Sequence, residues 1–132
     1  MLKPLEEWIC DVCGQVIESE EEGYLIWKRN DKSKAGSFKI IHHVKCDLDD
    51  HGSSLPLDSV TGSAGLSRLL AFWTTGPLQT RLFDADHDDI ADSSELVDLI
   101  RRLHVPYYEE ARQYFAKEKV LRDNSNANEV AP

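Results

Sequence analysis

Several features that mark whole classes of protein are missing from this sequence. No stretch approaches the roughly 20 consecutive apolar residues that a membrane-spanning helix needs. The opening residues 2–9, LKPLEEWI, are too charged for the apolar core of a signal peptide. A soluble, cytoplasmic protein is the expectation. Cysteine is scarce, with three residues at positions 10, 13 and 46, and an odd number does not suit a secreted scaffold in which thiols pair off. There is no internal repeat and no local nucleophile motif among the Ser, Asp and His residues, so no enzymatic activity is expected. Positive charge is also short overall. The formal net charge is −9, which opposes general attraction to nucleic acid or to an anionic membrane.

What is present suffices for one folded unit. The 132 residues are 41% apolar and include three Trp, four Tyr and four Phe, enough for a core. The expectation is a single domain over 1–121, made of a hairpin module at 8–47 and a helical part at 60–121. The polar, aperiodic stretch 122–132, RDNSNANEVAP, reads as a flexible tail. Charge is unevenly spread. Between Tyr24 and Cys46, six basic residues (Lys28, Arg29, Lys32, Lys34, Lys39, Lys45) face Asp31 alone, a local +5 that leaves −14 on the rest.

The local patterns divide the chain into two regimes. YLIWKR and FKIIHH are rich in β-branched and aromatic residues around the polar NDKSKAGS, which predicts a hairpin with strands near 24–29 and 37–43 and a basic tip. Residues 47–59 have no apolar period and read as loop. Leu66, Leu69, Leu70 and Trp73 then fall on one face of a helix, with Ser63 as its cap and Gly76-Pro77 as its stop. Leu96, Leu99, Ile100 and Leu103 repeat the spacing behind Asp92 and Glu95, a capping-box signature. Pro106 ends that helix and opens a third, whose expected apolar stripe is Tyr107 or Tyr108, Ala111, Tyr114 and Phe115. The fold class is therefore α+β, a hairpin packed with about three C-terminal helices.

The cysteines supply the chemistry. Cys10 and Cys13 form a C-x2-C followed by Gly14, and after an interval of 29 residues (14–42) His43 and Cys46 in HHVKC add an H-x2-C. Four soft or borderline donors in two short-spaced pairs, brought together by a hairpin, suit the tetrahedral preference of zinc. Glycine after the second cysteine fits the tight turn that aims two thiolates at one ion. A redox pair would instead sit where a strand meets a helix N-terminus, and here an acidic stretch and a hairpin follow. The expected ligands of one structural zinc are Cys10, Cys13, His43 and Cys46. His42 in place of His43 is the alternative, since consecutive strand residues point to opposite faces and the two cannot share an ion from regular strand. With CDVCG and HHVKCD, residues 8–47 resemble a treble-clef or zinc-ribbon-like module and are similar to small bacterial proteins of undefined function. The resemblance implies zinc binding by the same four residues and carries no activity with it.

Two further constellations invite other readings. In FDADHDDIADSSEL, Asp84, Asp86, Asp88, Asp92 and Glu95 occupy positions 1, 3, 5, 9 and 12 of a calcium loop. Asp89 stands where the turn glycine belongs and Ala91 where a branched aliphatic belongs, so an acidic loop ending in a helix cap is the preferred reading. The basic hairpin 24–46 carries Tyr24, Trp27 and Phe38, and positive charge among aromatic faces is what single-stranded nucleic acid favours. Packing of those rings against the helices is the plainer account. The expected partner is thus another protein, bound by an interaction or adaptor module, with nucleic acid as the alternative and no membrane.

Overall fold

In the computed structural model of the chain, the described residues are 1–32, 34–46, 52–73 and 89–115. They form the expected α+β architecture. Two short strands, β1 (Trp8–Ile9) and β2 (Val16–Ile17), pair antiparallel with Trp8 opposite Ile17, and the C-x2-C turn lies between them. A 3-10 turn at Glu20–Glu22 leads into β3 (Gly23–Arg29), which pairs antiparallel with β4 (Lys34–His42). This is the predicted hairpin. At its tip, the Asn30 side chain accepts hydrogen bonds from the Lys32 and Lys34 amides at 2.9 and 3.0 Å, a local turn device typical of asparagine.

The segment expected to be loop holds a strand and a turn, β5 (Ser53–Pro56) and a 3-10 turn at Leu57–Ser59. Its sequence has too little alternation to announce a strand, and pairing with the outer edge of β3, Leu25 opposite Leu55, creates it. Helix α1 (Gly62–Trp73) follows. A two-residue strand, β6 (Asp89–Ile90), runs parallel to β4 and completes a four-stranded sheet in the order β5-β3-β4-β6. Helix α2 (Ser93–His104) comes next, and residues 108–115 form α3.

The outer edge of β4 is covered along its length by three devices. β6 takes Lys34 and Ala35. A bulge puts two residues, Ser37 and Phe38, opposite Trp27, with Ser37 at φ 54°, and the amide so freed donates to Glu95 Oε2 of α2 at 2.8 Å. Further along, Asp11 donates its own amide to the Ile40 carbonyl at 2.9 Å and accepts the Ile40 amide on Oδ2 at 2.8 Å. A sheet edge satisfied in this way offers no template for another strand.

The core gathers Trp8, Ile17, Leu25, Trp27, Ile40, Ile41, Leu55, Leu57, Leu69, Phe72, Leu99 and Leu103. Trp27 meets Phe72 and Trp73 edge to face, with centroids 6.1 and 5.2 Å apart, and Phe38 meets Trp73 at 5.2 Å. The buried leucines of α2 lie on its predicted face. On α1 the buried set is Gly65, Leu69 and Phe72, and Leu70 is exposed, which rotates the expected stripe. The cause is a close approach: a Cβ on Gly65 would lie 2.4 Å from the Val60 carbonyl carbon, so this residue faces the turn before the helix. Tyr107, just before α3, and Tyr114 and Phe115 on it are exposed, and the buried residue of α3 is Glu109. The expected aromatic stripe loses to an ion pair, described below. Gly76-Pro77 and the tail at 122–132 lie outside the described residues.

Candidate metal centre

The first knuckle is built by backbone hydrogen bonds between β1 and β2. The Cys10 amide donates to the Gln15 carbonyl at 2.9 Å, and the Gly14 amide returns to the Cys10 carbonyl at 3.0 Å. Gly14 holds φ 75°, the left-handed conformation for which glycine was expected. The amides of Val12 and Cys13 point at Cys10 Sγ, at 3.4 and 3.5 Å.

The second pair of donors comes from the end of β4. Cys10, Cys13, His42 and Cys46 present ligand atoms that all lie within 4.8 Å of one another. His42 Nδ1 is 3.4 Å from Cys13 Sγ and 3.7 Å from Cys46 Sγ. A tetrahedral zinc with ordinary Zn–S and Zn–N bonds puts sulfur and nitrogen about 3.6 Å apart. The two distances bracket that value. On the far side of the ring, His42 Nε2 lies 3.1 Å from the Val16 carbonyl oxygen. A carbonyl can only accept, so Nε2 is a protonated nitrogen, which in the neutral ring leaves the Nδ1 lone pair toward the sulfurs. Such a carbonyl partner is the usual device that fixes a metal-binding imidazole.

The histidine expected as ligand, His43, lies elsewhere. Its ring stacks on Tyr24 with centroids 4.1 Å apart and planes 2° from parallel, on the other face of the strand. The spacing that closes the site is H-x3-C. After His42 the chain makes one turn, in which the Cys46 amide donates to the His42 carbonyl at 3.4 Å and brings Sγ back to the imidazole that precedes it. Val44 occupies φ 68° in that turn, an uncommon conformation for a β-branched residue. A two-residue loop from His43 was the shorter link on paper, but strand alternation turns His43 away.

The electrostatics of the Cys10 and Cys46 thiols suit a cation. Burial pushes the Cys10 thiol up, but hydrogen bonds from the backbone of Cys13, His42 and Val12 outweigh it and bring the group to about 6. Burial raises Cys46, and its neighbours Cys13 and Cys10 raise it further, to about 11. One thiolate thus hinders another as long as no positive charge sits between them. A dication removes that conflict, and the cluster can hold one structural metal ion of the zinc type.

Three residues around the knuckle were not anticipated. Asp11, inside the C-x2-C, binds the Arg102 guanidinium through Oδ2 at 2.6 Å, and Arg102 in turn grips Glu109 with Nε and Nη2, both at 2.7 Å. The one signal in the sequence is that Arg102 falls three residues after Leu99, on the apolar face of α2. Beside the centre, His42 forms a wall of an open cleft of about 790 Å³ that is also lined by Val16, Glu18, Glu21, Glu22 and His43.

The described residues of the two further constellations are employed in capping and packing, as their plainer readings expect. Asp92 caps α2, accepting from the Ser94 amide at 2.9 Å and its hydroxyl at 2.7 Å, and Glu95 serves the β4 bulge instead of closing a capping box. Asp84, Asp86 and Asp88 lie outside the described residues. Of the hairpin aromatics, Trp27 is buried, Phe38 packs on Trp73, and Tyr24 carries His43. Among the described residues, no helix is long and apolar enough to cross a membrane. Comparison with protein-family models, curated proteins and solved structures gave no match.

Proposed function

We propose that this chain is a small zinc-binding module whose metal is structural and whose task is to bind another protein, as an adaptor rather than an enzyme. The observation that carries the reading is the Cys3His constellation itself. All four donors come from the chain, which leaves no coordination position for water or substrate, the mark of a structural rather than a catalytic zinc site. Knuckle, hairpin and second knuckle together are of the treble-clef or zinc-ribbon kind.

Surface chemistry favours a protein partner. Val12 and Val44, in the turns of the two knuckles, are 43% and 75% exposed, and the cleft beside His42 is edged by three glutamates and Lys45. The hairpin aromatics Trp27 and Phe38 pack on Phe72 and Trp73, and Tyr24 stacks on His43, which leaves a nucleic acid chiefly the charges of the hairpin. Elemental analysis should return one zinc per chain. Fluorescence polarisation with single- and double-stranded DNA and RNA should show no submicromolar binding at about 0.15 M ionic strength, where charges are screened beyond roughly 8 Å. Submicromolar binding that disappears when Lys28, Arg29, Lys32 and Lys34 are neutralised would move the protein to the nucleic-acid class.

A further inference from the structure

We propose that Arg102 is a positioning residue of the metal centre, and that metal loading and the docking of α3 form one linked equilibrium carried by Asp11, Arg102 and Glu109. The proposal rests on the reading of the four-donor cluster as a zinc site. Cys10, a ligand, is held on both sides by the same network. After it stands Asp11, whose backbone pairs with Ile40 and whose carboxylate takes Arg102 Nη1. Before it stands Ile9, whose amide donates to Glu109 Oε2 at 2.9 Å and whose carbonyl accepts from Arg102 Nη2 at 3.1 Å. Trp8, one residue earlier, donates its indole N–H to the Arg102 carbonyl at 2.9 Å. The other end of the network is the first turn of α3, through both carboxylate oxygens of Glu109.

Burial makes this more than a surface contact. The side chains of Arg102, Glu109 and Asp11 are 2%, 7% and 20% exposed. Taking such charges out of water offsets most of their attraction, so as a source of stability the triad is a poor substitute for apolar packing. Its distinctive property is geometric. A planar guanidinium satisfied on both edges admits one arrangement of its partners. A metal that fixes Cys10 therefore fixes Ile9 and Asp11, hence Arg102 and the seat of Glu109. A docked α3 likewise prearranges the knuckle for the metal. Coupling of this kind is reciprocal by thermodynamic necessity.

The experiment measures both directions. Zinc dissociation constants are read by chelator competition for the wild type, Arg102→Lys, Arg102→Met and the core control Leu69→Ala, each shown to be folded by circular dichroism. Arg102→Met should bind zinc 10- to 100-fold more weakly, the usual cost of removing an outer-shell partner. Arg102→Lys should recover part of that loss, and Leu69→Ala should bind as the wild type does. The visible spectrum of the cobalt-substituted protein should shift in Arg102→Met and not in Leu69→Ala. In the wild type, removing zinc should lower hydrogen-exchange protection of the amides at 108–115 by a factor comparable to the affinity loss. If Arg102→Met does not fold, Arg102→Lys and the wild-type exchange measurement decide. One zinc per chain, with unchanged affinity in the Arg102 variants or metal-independent protection of α3, overturns the coupling alone. A wild type that binds no zinc overturns the zinc reading and the coupling with it.

Discussion

Replacing the two adjacent histidines one at a time distinguishes a ligand from its neighbour. His42→Ala removes the nitrogen that lies 3.4 and 3.7 Å from two cysteine sulfurs. Structural zinc sites are worth about 10–16 kcal/mol in small domains, so one of four donors accounts for on the order of 3 kcal/mol, about a hundredfold in affinity. With free zinc well above both dissociation constants, a hundredfold loss lowers the metal-linked stability by about 2.7 kcal/mol, and the unfolding midpoint by on the order of 10 °C for a domain of this size. His43→Ala removes an exposed ring stacked on Tyr24 at 4.1 Å. An aromatic pair is worth about 0.5–1.5 kcal/mol, and the exposed position puts this one at the low end, a few degrees at most. Chelator competition gives the affinity, and thermal unfolding at several zinc concentrations gives the linkage. The reasoning fails if His43→Ala loses zinc while His42→Ala retains it, or if the two lose it equally.

Three further outcomes follow from the packing and the caps. Gly65→Ala should destabilise the fold by about 1–3 kcal/mol in chemical denaturation despite the better helix propensity of alanine, because the new methyl would sit 2.4 Å from the Val60 carbonyl carbon; a neutral or stabilising effect would contradict that approach. Asp92→Ala should cost about 1 kcal/mol through loss of the α2 cap, and Asp92→Asn should restore most of it, as read from denaturant midpoints. His104 supplies a pH dependence. Burial lowers its pKa below the usual 6.5, a hydrogen bond that the ring donates to the Val60 backbone opposes the shift, and Nε2 is buried without a partner among the described residues. Between the lowered value and 6.5 the unfolded chain binds more protons, so this contribution to stability is complete above about 6.5 and fades as pH falls through the folded-state value. The denaturant midpoint of the wild type should therefore drop more steeply from pH 7.5 to 5 than that of His104→Gln, and parallel profiles would remove His104 from the account.

Much of the molecule could be read along the chain, because the information was local. YLIWKR and FKIIHH announce a hairpin by composition, the α2 leucines announce a buried helical face by period, and Asp92 sits where a cap must sit. Two close pairs of donors likewise announce a metal. Position along the chain does not say which of two neighbouring histidines faces the ion; strand alternation and the turn through Val44 chose His42. Nor could β5 be read, since its strand state comes from the free edge of β3 and not from its own residues. The helix at 108–115 is the clearest case. Its aromatic period suggested a buried stripe, yet the residue it buries is Glu109, because the Arg102 guanidinium was waiting on α2, already bound to an aspartate nearly a hundred positions earlier in the sequence. Charges that neutralise each other across such separations are invisible to any local window, and burial makes their pairing obligatory once the helices meet.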